Sequence, residues 1–268
     1  MLTFFSFGSG SCGNCYYIGT DKDAVLVDAG VGIRRFKKNL KEYGISTNTI
    51  KAMLTTHDHA DHTKASGVIS GEYNLPVYAT QLVHEGMRRN YQLRNKVDVT
   101  RTHIVTPGET FTVGELKVTA FPIPHDASEN VGYFIETPET NITVMTDVGD
   151  ITDDISNYIQ KSNNLIIEAN YDREMLRQGR YPEMLKQRIT SGRGHLANIQ
   201  TADALAKNFH EKLKRIWLCH LSEENNHPEL AKKTIETHLR AFGLIAGTDF
   251  QLEVLRRKIP TGPFVIKD

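Results

Sequence analysis

The 268 residues are 39% hydrophobic and 24% charged, a balance that supports a packed core and leaves no compositional case for disorder. Lysine plus arginine and aspartate plus glutamate number 32 each, so any affinity for a polyanion has to come from local patches. No apolar run approaches the roughly 20 residues needed to span a bilayer, and three cysteines, Cys12, Cys15 and Cys219, cannot all pair within the chain, which suits a reducing cytoplasm.

A single domain over residues 1–268 is expected, because no repeat, low-complexity tract or Pro/Gly/Ser linker divides the chain. The opening residues lack a basic leader and run straight into glycines, so they read as a first strand and not as a signal peptide. Short apolar runs at Leu2–Phe7, Cys15–Gly19 and Ala24–Asp28 predict antiparallel strands joined by tight turns. Cys12-Gly-Asn-Cys15 has redox-motif spacing but no second pair to close a zinc site, and reads as a glycine-rich turn. A helix is expected over Ile33–Tyr43, ending at Gly44, and a strand over Ala52–Thr55.

Strands are expected next at Pro76–Ala79, His103–Thr106, Thr110–Val113, Lys117–Pro122, Val131–Glu136 and Ile142–Thr146, with helices near Thr63–Tyr73 and Gln81–Arg89. Beyond residue 150 amphipathic helices such as Thr201–Lys212 and Glu229–Phe242 alternate with strands at Leu165–Ala169 and Ile216–Cys219. Many sequential strands with interspersed helices suggest two sheets covered by helices. Trp217, Phe4, Phe5 and Phe7 are expected in the core.

The strand at Ala52–Thr55 leads into His57-Asp-His59-Ala-Asp61-His62, three imidazoles and a carboxylate on one loop, a density that can feed two adjacent metal ions. Asp58 reads as a residue that faces solvent or braces this loop. His125, Asp147 and His220 each end an apolar run, as loop-borne ligands on a rigid scaffold do. His195, framed by Gly194 and Asn198, reads either as a proton donor or substrate contact, or as a cap on the following helix. Two basic segments, Arg88 to Arg101 and Arg173 to Arg193, either guide a polyanion or form solvated helix faces.

Leu26-Val-Asp28-Ala-Gly, the His57–His62 cluster, His125, Asp147 and His220, in this order, resemble the five motifs of the metallo-β-lactamase superfamily. The resemblance implies a four-layer αββα sandwich of α/β class with the metals at one edge. One metal would be held by His57, His59 and His125 and a second by Asp61, His62 and His220, with Asp147 bridging both. Asp28 would orient the cluster loop. Gly8-Ser-Gly-Ser, Ile167-Glu-Ala-Asn-Tyr-Asp172, Gly179-Arg-Tyr-Pro182, Gly194-His-Leu-Ala-Asn198 and His220-Leu-Ser-Glu-Glu-Asn-Asn226 resemble the YycJ/WalJ-like branch of that superfamily, associated with 5′-to-3′ exonuclease activity.

The chain is thus expected to be a two-metal hydrolase using zinc or manganese, with iron possible, in which cations about 3.5–4 Å apart ionise a shared, bridging water. Asp61, Asp147 and His195 are its catalytic candidates, and His195, Asn198, Tyr171 and Arg180 its candidate substrate contacts. The expected substrate is DNA cut from an end, with no membrane and no obligatory protein partner. Two alternatives stay open: a small phosphodiester, thioester or lactone as substrate, and a metal-bound scaffold without activity.

Overall fold

The structure is a computed structural model and describes residues 1–267. Three strands open the chain, β1 (Leu2–Gly8), β2 (Cys15–Gly19) and β3 (Ala24–Val27), and pair antiparallel as their short connections require. Helix α1 (Ile33–Glu42) then crosses over, which lays β4 (Ile50–Leu54) parallel to β3. After α2 (Ala60–Thr63) and α3 (Ser66–Tyr73), β5 (Val77–Ala79) is added in parallel, and after α4 (Gln81–Arg89) so is β6 (Thr102–Ile104).

A second sheet begins with the antiparallel run β7 (Thr110–Val113), β8 (Leu116–Pro122), β9 (Val131–Glu136) and β10 (Asn141–Met145). It turns parallel once helices intervene: α5 (Asp153–Lys161) precedes β11 (Asn164–Glu168). Then come α6 (Arg173–Gln178), α7 (Glu183–Thr190) and α8 (Asn198–Asn208) before β12 (Arg215–Cys219), and α9 (Pro228–Ala241) before β13 (Gln251–Val254). The last strand, β14 (Thr261–Ile266), returns to the first sheet beside β1. The sheet orders are β14-β1-β2-β3-β4-β5-β6 and β13-β12-β11-β10-β9-β8-β7.

Alternation of side chains builds the layers. Leu2, Phe4, Tyr16, Val25 and Leu54 pack inward against Val118, Tyr133, Val144 and Trp217 of the other sheet. Their neighbours Phe5, Phe7, Tyr17, Leu26 and Met53 face outward onto Phe36 of α1 and Ile69 of α3. On the far side Leu165, Ile167, Ile216 and Leu218 pack against α5, α8 and α9 through Ile155, Leu205 and Ile235. The result is the expected αββα sandwich, with Trp217 and Phe4 edge to face at 4.8 Å in its centre.

The structure corrects several boundaries. The helix expected over Thr63–Tyr73 is two helices, because the Ala65 amide leaves helical geometry to donate to the Ala29 carbonyl at 3.0 Å. Asn198, three residues earlier than expected, begins α8, where the Gln200 side chain accepts from the Ala197 amide at 3.0 Å. The helices α5, α6 and α7 and the strands β13 and β14 were not anticipated. Gly262 and Pro263 hide the last of these, and an edge position is what lets a strand carry proline. Among the described residues no helix is long and apolar enough to cross a membrane.

Candidate metal centre

The strands deliver chemistry at one edge of the sandwich, several of them by ending in a left-handed residue. Asp28 follows β3 with φ 61°, Asp147 lies two residues past β10 with φ 56°, and His220 follows β12 with φ 52°. Non-glycine residues adopt this conformation at a cost and persist in it where the surroundings hold them. His57 and His59 lie on the loop after β4, Asp61 and His62 on α2, and His125 just past β8. Glu168 is the last residue of β11, and His195 stands in the loop ahead of α8.

These residues, far apart in sequence, converge. His57, His59 and His125 bring their ligand nitrogens within 4.8 Å of one another, and so do the donor atoms of Asp61, His62 and His220, and those of His57, His62 and Asp147. The His57 ring centroid lies 4.1 Å from that of His62 and 5.1 Å from that of His125. Asp147 Oδ2 stands 3.1 Å from His62 Nε2, and Asp147 Oδ1 3.7 Å from His125 Nε2, so this one carboxylate reaches both imidazole groups.

Whether the pocket suits a cation can be judged from its unsatisfied atoms. The Nε2 atoms of His57, His125 and His220 are buried with no hydrogen-bond partner. Each of these rings is fixed at its other nitrogen: His57 Nδ1 lies 3.0 Å from Thr56 Oγ1, His125 Nδ1 2.9 Å from the Gly194 carbonyl, and His220 Nδ1 3.0 Å from Glu168 Oε1. Where the partner is a carbonyl or carboxylate, Nδ1–H donates, so in the neutral ring that binds a metal the Nε2 lone pair faces the cluster. A buried ring nitrogen without a partner is costly, and three of them converging beside carboxylates fit a divalent cation.

Charge leads to the same reading. Burial and the nearby His62 push the His57 imidazole well below its usual range, which keeps it neutral as a ligand must be. Burial opposes the charged form of His220, yet Asp147, Asp61 and Glu168 raise it to about 10. Burial likewise disfavours the Asp147 carboxylate, but His220 and His62 hold it well below the carboxylate range. The carboxylates of Asp28, Asp61, Asp147 and Glu168 thus sit in a buried field that positive charge must compensate, whether from protons on imidazoles or from metal.

The loop carrying the cluster is fixed from behind. Asp28 accepts from the Thr56 amide at 2.9 Å and from the Thr56 hydroxyl, and its Oδ2 meets His62 Nδ1 at 2.7 Å. Gly30 allows the Asp28 turn to press against α2: a Cβ there would fall 1.5 Å from the Asp61 carbonyl oxygen. Gly13, at φ 142°, would likewise meet the Gly30 carbonyl oxygen at 2.4 Å. The Cys12–Cys15 segment is therefore the turn expected of it. Its Asn14 amide donates to the Asp61 carbonyl at 2.8 Å, while Cys12, Cys15 and Cys219 are free thiols. Asp58 braces the loop by accepting from the Ser128 amide and hydroxyl.

His195 comes to the edge of the cluster, 18% exposed at its side chain, with Nδ1 2.9 Å from Glu168 Oε1. Burial lowers the affinity of His195 for a proton, but Glu168 more than reverses this and raises it. Glu168 was missed in the sequence. It is fully buried, holds His195 and His220 through Oε1, and accepts the Val148 and Leu196 amides through Oε2, each at 3.0 Å. It ends an apolar run just as Asp147 and His220 do, and that signal would have found it. Ser9, which accepts from the His220 amide at 2.9 Å, was also missed.

The other expected substrate contacts are not brought to the cluster. Asn198 is buried with its amide locked to that of Asn226 at 3.0 and 2.8 Å, which makes it a fastener between α8 and the loop after β12. Tyr171 is buried in a small cluster with Leu176 and Ala197. Arg180 is exposed between α6 and α7, while the adjacent Tyr181 lines the cleft beside His195 and His220. In the first basic segment, Lys96 donates to the Met87 carbonyl and Arg89 pairs with Glu85, so part of its charge caps α4 or is neutralised.

The family model of the beta-lactamase superfamily domain matches residues 23–220, and the chain belongs to this superfamily. Within it the chain is 35% identical over 260 residues to exodeoxyribonuclease YycJ of Bacillus anthracis, covering 97% of either protein. It is also 36% identical over 244 residues to exodeoxyribonuclease WalJ of Streptococcus pneumoniae, covering 91% of this chain and 90% of the relative. The crystal structure of the metallo-beta-lactamase fold protein YhfI from Bacillus subtilis superposes with a TM-score of 0.70 at 15% identity, over 97% of this chain and 98% of that one. The chain is a YycJ/WalJ-like hydrolytic enzyme of the metallo-β-lactamase superfamily.

Proposed function

We propose that the chain is a two-metal phosphodiesterase that removes nucleotides from the ends of DNA in a reducing cytoplasm. The observation that carries this reading is the convergence of three buried, unpartnered Nε2 atoms on Asp61 and Asp147. Its substrate class is supported by the two exodeoxyribonuclease relatives that match nearly end to end. His57, His59 and His125 would hold one cation, Asp61, His62 and His220 the other, and Asp147 both. Zinc and manganese suit this mixed imidazole and carboxylate set, as does iron. When bound, such a pair supplies Lewis acidity toward phosphoryl oxygens and a water that ionises near neutral pH.

The protein's own groups do the rest. Asp28 and Thr56 fix the cluster loop so that the imidazoles do not reorganise during the reaction. Glu168 holds His195 by Nδ1 and favours its protonated form, leaving Nε2–H to donate to the leaving oxygen. Incubation of metal-loaded protein with end-labelled DNA and RNA tests the reading: nucleotides released from DNA are expected. Turnover confined to p-nitrophenyl thioesters or lactones would contradict it.

A further inference from the structure

Helix α7 buries none of its residues, yet it presents Leu185, Arg188 and Ile189, at i, i+3 and i+4, to a cleft of about 210 Å³. His195 and His220 line the same cleft. Arg188 is the only lysine or arginine among the described residues that line it. Elsewhere in the second basic segment, Arg177 spends Nε and Nη2 on Glu174, Lys186 donates to the Arg177 carbonyl, and Arg193 grips the His125 carbonyl by Nε and Nη2.

Arg188 is held differently, by one nitrogen. Its Nε donates to Asp126 Oδ2, and among the described residues its terminal guanidinium nitrogens have no protein partner. The other oxygen of Asp126 is buried without a hydrogen bond, 3.4 Å from His125 Nε2. A single carboxylate therefore separates Arg188 from an imidazole of the metal cluster. An ion pair between a side chain 56% exposed and one 27% exposed adds little to stability. As an anchor it does more, because a guanidinium pinned at Nε keeps its two terminal nitrogens as a fixed fork of the geometry that phosphate oxygens accept.

We propose that Arg188 binds a phosphate of the terminal nucleotide in this cleft, with Asp126 as the residue that positions it. The inference rests on the nuclease reading. The test is binding of a short fluorescein-labelled phosphorothioate oligodeoxynucleotide to metal-loaded protein, followed by anisotropy across a salt series for wild type, Arg188→Gln, Arg188→Lys and Asp126→Asn. Arg188→Gln is expected to weaken binding about 10-fold at unchanged metal content. It should also flatten the dependence of log Kd on log salt by about 0.7, the loss of one phosphate contact on a single strand. Arg188→Lys should restore the salt slope but not the full affinity, since an ammonium cannot form the fork. Asp126→Asn should weaken binding while leaving the slope intact.

Binding by Arg188→Gln within twofold of wild type, at the same slope, overturns the assignment. If wild type cleaves DNA and the variant behaves as wild type, only the role of Arg188 is lost. If wild type neither binds nor cleaves DNA, the nuclease reading fails and takes this inference with it.

Discussion

Individual side chains divide between those that would touch a metal and those that aim them. Among the described residues the Asp28 carboxylate hydrogen-bonds Thr56 and His62, so Asp28→Ala should lower metal affinity by about 10–100-fold without unfolding the protein, measured by competition with a chromogenic chelator. His195 lies outside the proposed ligand set, so His195→Ala should reduce kcat by about 10²–10⁴-fold with metal content retained; loss of metal in that variant would recast it as a ligand. The sequence singles out His57, His59, Asp61 and His62 by their density on one loop, and His125, Asp147 and His220 because each ends an apolar run, and the structure brings these residues together. Glu168 is equally placed and was passed over because the strand was expected to run on to Ala169, which puts Glu168 inside the run and not at its end. The structure puts Asn198 in a buried amide pair and Tyr171 in a small apolar cluster, and neither environment can be read from the sequence, where a polar side chain looks the same whether it faces a cleft or is enclosed.

The elements that carry these residues depend on close backbone approach more than on side-chain packing. The Asp28 turn, the Cys12–Cys15 turn and α2 meet through main-chain hydrogen bonds from Asn14 to Asp61 and from Ala29 to His62. Gly30→Ala places a methyl group within bonding distance of the Asp61 carbonyl oxygen, and relief of that overlap should cost about 1–3 kcal/mol. Chemical denaturation would record the loss, and metal affinity should fall with it because Asp61 and His62 move together; a variant as stable as wild type would show that the turn has room the structure denies. The antiparallel opening was readable from turn spacing, and the parallel pairs from β3 to β6 and from β10 to β13 follow where helices intervene between strands. The broken α2–α3 segment was not readable, since Ala65 leaves the helix for a partner some 36 residues away, an interaction that local periodicity cannot register.

For the molecule as a whole, the site concentrates negative charge in a place that water barely reaches. Without metal, protonated His220 offsets it, at a proton affinity raised to about 10 in the folded state against ~6.5 for an unperturbed imidazole. That contribution is present in full below the unfolded value and is lost as pH rises through the folded one. The metal-free protein should therefore melt at progressively lower temperature between about pH 7 and pH 10. The metal-loaded protein, whose imidazoles are already neutral, should not follow it, and parallel melting curves for the two forms would count against the charge balance described here. The sandwich itself was foreseen because strand and helix runs and five spaced motifs agree on one architecture. The most direct measurement is the number of divalent ions bound per chain, by native mass spectrometry, for wild type and Asp147→Ala. The account predicts two ions on wild type and loss of tight binding at both positions when the shared carboxylate is removed. A wild-type chain that binds none, or a variant that keeps both, would contradict it.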